Sequence, residues 1–300
     1  MLRKLPRSQT ASRCSSSSVE RETLQVTGNR QEVIYSRIWE EEPEPDNPYA
    51  AARCVCHGYD VFGDMLGKTS WTEYLFLLFA GERPTSQQSK ILEGMAVALA
   101  NPGPRDHSVR AAMNGGVGGS QNAACLMAAL AVGAGGLGGG HEVAVAMENW
   151  AACGDAMSKW KERLLDPPLD ERADTWMPME HAPGFDPHGA SCTTPVQQTL
   201  TYLAQCSPGY ALLWLDEHRR ALEQIAGSPL AMTGVAAAAF TDLGLEPGQG
   251  EMLFLLLRLP GAAVHALEQR EYGWRKYPFF SDSLHLENDP GPVKASKKSA

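Results

Sequence analysis

Isoleucine occurs only four times in the 300 residues, at positions 34, 38, 91 and 225, while alanine, leucine and methionine are plentiful. Strands favour β-branched side chains and helices favour Ala, Leu and Met, so this scarcity excludes an extensive sheet and points to helix. No C-x-x-C pair exists among the seven cysteines, at 14, 54, 56, 125, 153, 192 and 206. An odd, scattered set fits reduced thiols in a cytoplasmic protein better than a disulfide framework, and no metal site is expected. There is no basic excess either. The net charge of −9 argues against a nucleic-acid partner, because phosphate binding needs a basic face.

Acidic residues are missing from the first nineteen positions, which instead carry Arg3, Lys4, Arg7, Arg13 and a serine run at 15–18. That composition is like a mitochondrial transit peptide, but Pro6 and the lack of an apolar face favour a disordered tail over 1–30. The polar, Lys-rich end, 286–300, is expected to be disordered as well. The longest uncharged stretch, 111–140, could span a bilayer by length. It contains ten glycines together with Asn114, Ser120, Gln121 and Asn122. A buried helix with glycine-rich ends fits it better, and no membrane partner is expected.

Local signals place the helices. Ser70-Trp-Thr-Glu73 and Thr85-Ser-Gln-Gln88 each read as a capping box, the first helix stopped by Gly81 and the second by Pro102-Gly103-Pro104. Further helices are expected near 106–133, 141–163, 194–206, 210–226, 228–243 and 247–270, the last kinked or split at Pro260-Gly261. The proline-rich region 164–193 reads as a long irregular connection of the kind that often carries function.

Six glycines fall between Gly133 and Gly140, directly before His141, and Gly133 to Gly138 satisfies G-x-G-x-x-G. A dinucleotide site needs a strand ahead of those glycines. Here they follow the Ala/Leu/Met-rich run 123–132, which reads as helix. A Walker loop needs Gly-Lys-Ser/Thr, and no lysine lies between Lys90 and Lys159. An NAD-dependent oxidoreductase is therefore the weakest of the readings.

Five segments carry a different signal. They are HGYDVFGDMLGKTSWTEYLFLLFAGERPT from His57, RDHSVRAAMNGG with ALAVGAGGLGGGHEVAVA, APGFDPHG from Ala182, LAMTGVAAAAFTDLGL from Leu230, and LFLLLRLPGAAVHALEQREYGWRKYP from Leu253. In this order they resemble the signatures of citrate synthases, citryl-CoA lyases and the lyase module of ATP-citrate lyase, over roughly 55–280.

The resemblance implies an all-α, citrate-synthase-like homodimer, with a large helical domain (31–150 and 244–285), a smaller one (151–243) and the site in the cleft between them. It implies a C–C bond made or broken between an acyl-CoA such as acetyl-CoA and a 2-oxo acid of the oxaloacetate/citrate type. The coenzyme A thioester would be substrate, with no bound cofactor. His141 matches the histidine that donates to the thioester enolate, and His188 matches the second histidine, with His181 as its competitor. Thr233 stands where the family has its catalytic aspartate, and a threonine hydroxyl is no base near neutral pH. Asp186 is a conceivable substitute carboxylate. Arg258 and Arg275 match positions that bind substrate carboxylates, a solvated cluster with Arg270 and Lys276 being the alternative for the latter. His265, Asp106-His107 and Asp242 read as structural. No Lys or Arg lies between Arg172 and Arg219, where family members carry cations. The loss of the aspartate and of those cations favours an alternative, a non-catalytic subunit that keeps the scaffold and binds a partner.

Overall fold

The computed structural model describes residues 35–167 and 179–278. The expected tails, 1–30 and 286–300, and the middle of the 164–193 connection lie outside the described residues. Ten α-helices follow a short N-terminal sheet.

That sheet was not expected. β1 (Trp39–Glu44), β2 (Asn47–Cys56) and β3 (Tyr59–Asp60) form an antiparallel meander. β1 reads Trp-Glu-Glu-Glu-Pro-Glu, a composition poor in strand formers, and its pairing with β2 overrides propensity. Pro43 sits where the β1–β2 register shifts, at a place where a missing N–H is tolerated. Arg53 on β2 binds Glu42 and Asp60, both at 2.8 Å, and fastens the hairpin to the π-helical turn Val61–Met65.

Both capping boxes form. Ser70 and Glu73 close the start of α1 (Trp71–Ala80), and Thr85 and Gln88 close that of α2 (Ser86–Leu99). Two expected helices are each divided. The 106–133 segment becomes α3 (His107–Val117) and α4 (Asn122–Gly133), interrupted at Gly118-Gly119. The 141–163 segment becomes α5 (Gly140–Cys153) and α6 (Met157–Leu165), with Gly154 at φ 54° turning the chain. Then come α7 (Thr194–Cys206), α8 (Ala211–Ala226) and α9 (Met232–Asp242). Asp242, at the end of α9, is structural as read. Its carboxylate accepts from the Ala211 and Leu212 amides and from the Ser207 hydroxyl, capping α8, which has no cap of its own.

The expected break at Pro260-Gly261 does not divide α10 (Pro247–Tyr272), which is one continuous helix. Packing compensates for the proline: α10 lies against α2, α3, α4, α5 and α9, and the Gly261 amide bonds outward to the Ala100 carbonyl at the end of α2. α10 is long and apolar enough to cross a membrane by length and composition. In this fold it is the central strut. The main core joins α1, α2, α7 and α9 to α10 through side chains such as Phe76, Leu92, Met95, Leu203, Phe240 and Phe254. α9 is buried from Thr233 to Phe240 without interruption, as a helix packed on all sides must be.

A second, small-residue cluster of Ala112, Cys125, Ala129, Ala262 and Ala266 brings α3, α4 and α10 together. At its tightest point a Cβ added to Gly116 would lie 2.2 Å from the Ala266 carbonyl oxygen. Alanine's better helix propensity is worth about 1 kcal/mol, whereas overpacking costs about 1–3 kcal/mol or more when the obstacle is backbone. Gly116→Ala is therefore expected to lower unfolding free energy by about 1–2 kcal/mol, measured by urea denaturation.

Candidate active site

The glycine-rich run is a loop between α4 and α5, so no strand precedes it and the dinucleotide reading has no structural basis among the described residues. The loop ends in two successive residues with opposite fates. His141, in the first turn of α5, is exposed, while Glu142 beside it is 1% exposed. Helix phase explains this, because Glu142 shares its stripe with buried Ala146, Asn149 and Cys153.

Glu142 is the centre of the site. Oε1 accepts from the Thr233 hydroxyl at 2.7 Å and from the Gly184 amide at 2.9 Å. Oε2 accepts from the Gly138 amide at 2.5 Å. Its place at the N-terminus of α5 adds the favourable helix dipole. A buried carboxylate requires such compensation, and here the donors come from three separate segments. His181 is the fourth neighbour. Its side chain is 9% exposed and Nε2 stands 3.4 Å from Glu142 Oε2. That nitrogen is within ion-pair distance but off line for a hydrogen bond, and among the described residues it has no other partner.

The segment after His181 is pinned to the start of α9. Phe185 bridges Leu230, the Ala231 amide bonds to the Gly184 carbonyl, and the Asp186 amide to Pro229. Gly184, at φ 90°, lies directly on Gly234, and a Cβ on either would collide with the other's backbone. Thr233 is thus buried at the junction of the two loops and α9. The 179–185 loop also reaches the glycine run, since a Cβ on Gly136 would lie 3.2 Å from Met179 Cε and 3.8 Å from His141 Cδ2.

Arg258 closes the other side. It is buried, stacks on Phe254, and donates to the Gly138 carbonyl at 2.8 Å. Its main partner is Asp106, with which it forms a short ion pair. Burial pushes the guanidinium's pKa down, while Asp106 and Glu142 push it back up. Asp106 also caps α3 through the Ser108 and Val109 amides, the structural role read for it. One residue, Gly138 at φ 67°, is therefore clamped between Arg258 at its carbonyl and Glu142 at its amide.

The remaining residues singled out from the sequence lie elsewhere. His188 is exposed, and its backbone amide donates to Asp186 Oδ1 at 2.9 Å. Asp186 thus organises its own turn rather than approaching Thr233. Arg275 is exposed on a 3-10 turn and stacks on Trp274. Arg270 is exposed and donates to the Ser120 carbonyl. His265 contacts Asn101 and Glu268. The structure therefore brings together Glu142, Thr233 and His181, with Arg258 joined to them through Gly138, while His141 stands exposed beside the glycine loop. Glu142 was not singled out from the sequence, although its third-position place after the N-cap and its buried stripe were signals for it. Burial pushes the thiols of Cys56, Cys153 and Cys192 up, away from nucleophilic thiolates. Among the described residues no group of three His, Cys, Asp or Glu could hold a metal.

No family model and no curated protein matches the sequence. Solved structures do match. Citryl-CoA lyase from Hydrogenobacter thermophilus is similar with 19% identity and a TM-score of 0.64, over 90% of this chain and 98% of its own. ATP citrate lyase from Methanothrix soehngenii, in complex with citrate and coenzyme A, has 16% identity and a TM-score of 0.66, over 95% of this chain and 48% of its own. A mutant Methanosaeta concilii ATP citrate lyase in complex with (3S)-citryl-CoA has 14% identity and a TM-score of 0.64, over 92% of this chain and 47% of its own. The chain spans nearly the whole citryl-CoA lyase and about half of each ATP citrate lyase. What it shares with them is architecture: it has the mostly helical fold of the citrate synthase/citryl-CoA lyase-like proteins.

Proposed function

We propose that this protein makes or cleaves a C–C bond between an acyl-CoA, acetyl-CoA in the simplest case, and a 2-oxo acid of the oxaloacetate/citrate type. The observation that carries the reading is the convergence of the glycine loop, the 179–185 loop and α9 on one buried carboxylate, in a fold whose solved examples include complexes with citrate, coenzyme A and citryl-CoA. Such a reaction passes through a thioester enolate, a strong base in water that needs a positioned donor at its oxygen. His141, exposed beside the glycines, is the side chain we assign to that donation. The glycines leave room for a substrate to approach the backbone. Arg258 is the cation nearest to this centre through Gly138, and we assign it the substrate's carboxylate side. Homodimer formation belongs to the same reading.

A second reading, a non-catalytic subunit, is favoured by two observations. Arg258 is already neutralised by Asp106, and Thr233 offers only a hydroxyl where the resemblance expects a carboxylate. Under it the cluster is an internal brace.

Purified protein is expected to form citrate from acetyl-CoA and oxaloacetate, or to cleave citryl-CoA. His141→Ala should lower turnover by about 10²–10⁴-fold, the contribution of one positioned proton donor. No turnover, together with no calorimetric heat on adding a CoA thioester, would overturn the enzyme reading and leave the second. Under both readings Arg258→Met leaves the Asp106 carboxylate and the Gly138 carbonyl without their partner. It is expected to cost about 3 kcal/mol of stability in urea unfolding, since breaking one side of a buried pair strands the other charge. Thr233→Val removes one donor from a buried carboxylate and should cost about 1.5–3 kcal/mol by the same measurement.

A further inference from the structure

We infer that His181, positioned by Glu142, is the imidazole that takes up and returns the proton in the reaction proposed above, and the inference rests on that reading. Three observations carry it. The His181 side chain is nine-tenths buried, and its Nε2 is without a hydrogen-bond partner among the described residues although a carboxylate oxygen stands 3.4 Å away. Buried polar atoms are normally satisfied, so an orphaned one marks a place where something else completes the arrangement. Catalytic hydrogen bonds are often long and misaligned in an empty site and tighten when substrate arrives.

The second observation is the state of the carboxylate. Thr233, Gly184 and Gly138 fix Glu142 before the ring is considered. Oε2 accepts from Gly138 alone, so it keeps a lone pair for an imidazole N–H. With its proton on Nε2, toward Glu142, the ring carries its free lone pair on Nδ1. The third observation is charge. The Glu142 carboxylate, 3.4 Å from the ring, stands where it offsets the positive charge of an imidazolium formed at His181. His188, by contrast, is exposed, with its amide held in a turn by Asp186.

The proton balance closes with one imidazole. In synthesis Nδ1 takes a proton from the thioester α-carbon, and the C–H electron pair becomes the enolate, its charge on the oxygen that His141 faces. The enolate carbon attacks the 2-oxo carbon, the C=O π pair moves to oxygen, and the imidazolium returns its proton to that alkoxide, giving citryl-CoA; free citrate follows when water hydrolyses the thioester and coenzyme A leaves as the thiol. Cleavage is the reverse: the ring removes the hydroxyl proton, the C–C pair becomes the enolate, and the proton returns to carbon. Glu142 exchanges no proton. It acts on the ring as a positioning residue.

The test is exchange of acetyl-CoA methyl protons in deuterium oxide, followed by proton NMR, with and without an unreactive 2-oxo acid analogue. Wild type is expected to exchange, His181→Gln and His181→Asn to slow exchange by about 10²–10⁴-fold with little change in KM, and His188→Ala to leave it unchanged. The carbon-13 shift of His181 Cδ2 in labelled protein should report the Nε2–H tautomer in wild type and a mixed population in Glu142→Gln, a readout that a purely structural role would not move. Exchange that survives in both His181 variants but disappears in His188→Ala overturns the inference and leaves the functional reading standing. A tautomer insensitive to Glu142→Gln also overturns it. Wild-type protein that neither exchanges nor binds the thioester overturns both.

Discussion

A single buried carboxylate holds the centre of this molecule together. Glu142 is almost completely removed from water, and an isolated charge in that position would be unsustainable. Its stability is therefore a condition on everything around it. The Gly138 peptide must present its amide, the 181–185 loop must present that of Gly184, and α9 must begin so that Thr233 points its hydroxyl inward. Two of these segments are loops that no regular backbone places, the third is the first turn of α9, and each donates to one of the two Glu142 oxygens. The result is a site assembled by electrostatic necessity on a scaffold assembled by packing.

The scaffold's own constraint is close approach. α10 can run through Pro260 because neighbouring helices surround it, and they come near because alanines and Gly116 leave little side chain in between. That contact places Arg258 at a depth where its charge needs an answer, and Asp106 at the start of α3 supplies it. Arg258 then fixes the Gly138 carbonyl, whose amide serves Glu142. Helix packing and site geometry are thus joined through a single residue at positive φ, Gly138. Any second anion brought to Arg258 must compete with Asp106.

Features governed by neighbouring residues were legible in the sequence. The capping boxes at Ser70 and Thr85, the glycine ends of helices, and the helical rather than strand character of 123–132 depend on three or four positions each. The five resemblance segments also located the parts that meet: APGFDPHG and LAMTGV touch through Gly184 and Gly234. Features governed by distant partners were not legible. β1 is a strand because β2 pairs with it, against its glutamate-rich composition. His188 fits a sequence pattern better than His181, yet the chain's path buries His181 beside Glu142 and leaves His188 in solvent.

Thr233 shows why the distinction matters for reading a divergent site. Against the resemblance drawn from the sequence, it stands where a carboxylate was expected. In three dimensions its hydroxyl touches a carboxylate supplied by a residue 91 positions earlier in the chain. An aspartate at 233 would put two carboxylates at hydrogen-bond distance in a buried space, an arrangement that favours protonating one of them. Threonine avoids the conflict and also donates, which aspartate in its ionised form cannot do. Thr233 and Glu142 are therefore one hydrogen-bonded unit in physical terms. The chemistry that remains to the site is set by the pair: a carboxylate too well satisfied to act alone, and an adjacent imidazole that is not yet satisfied.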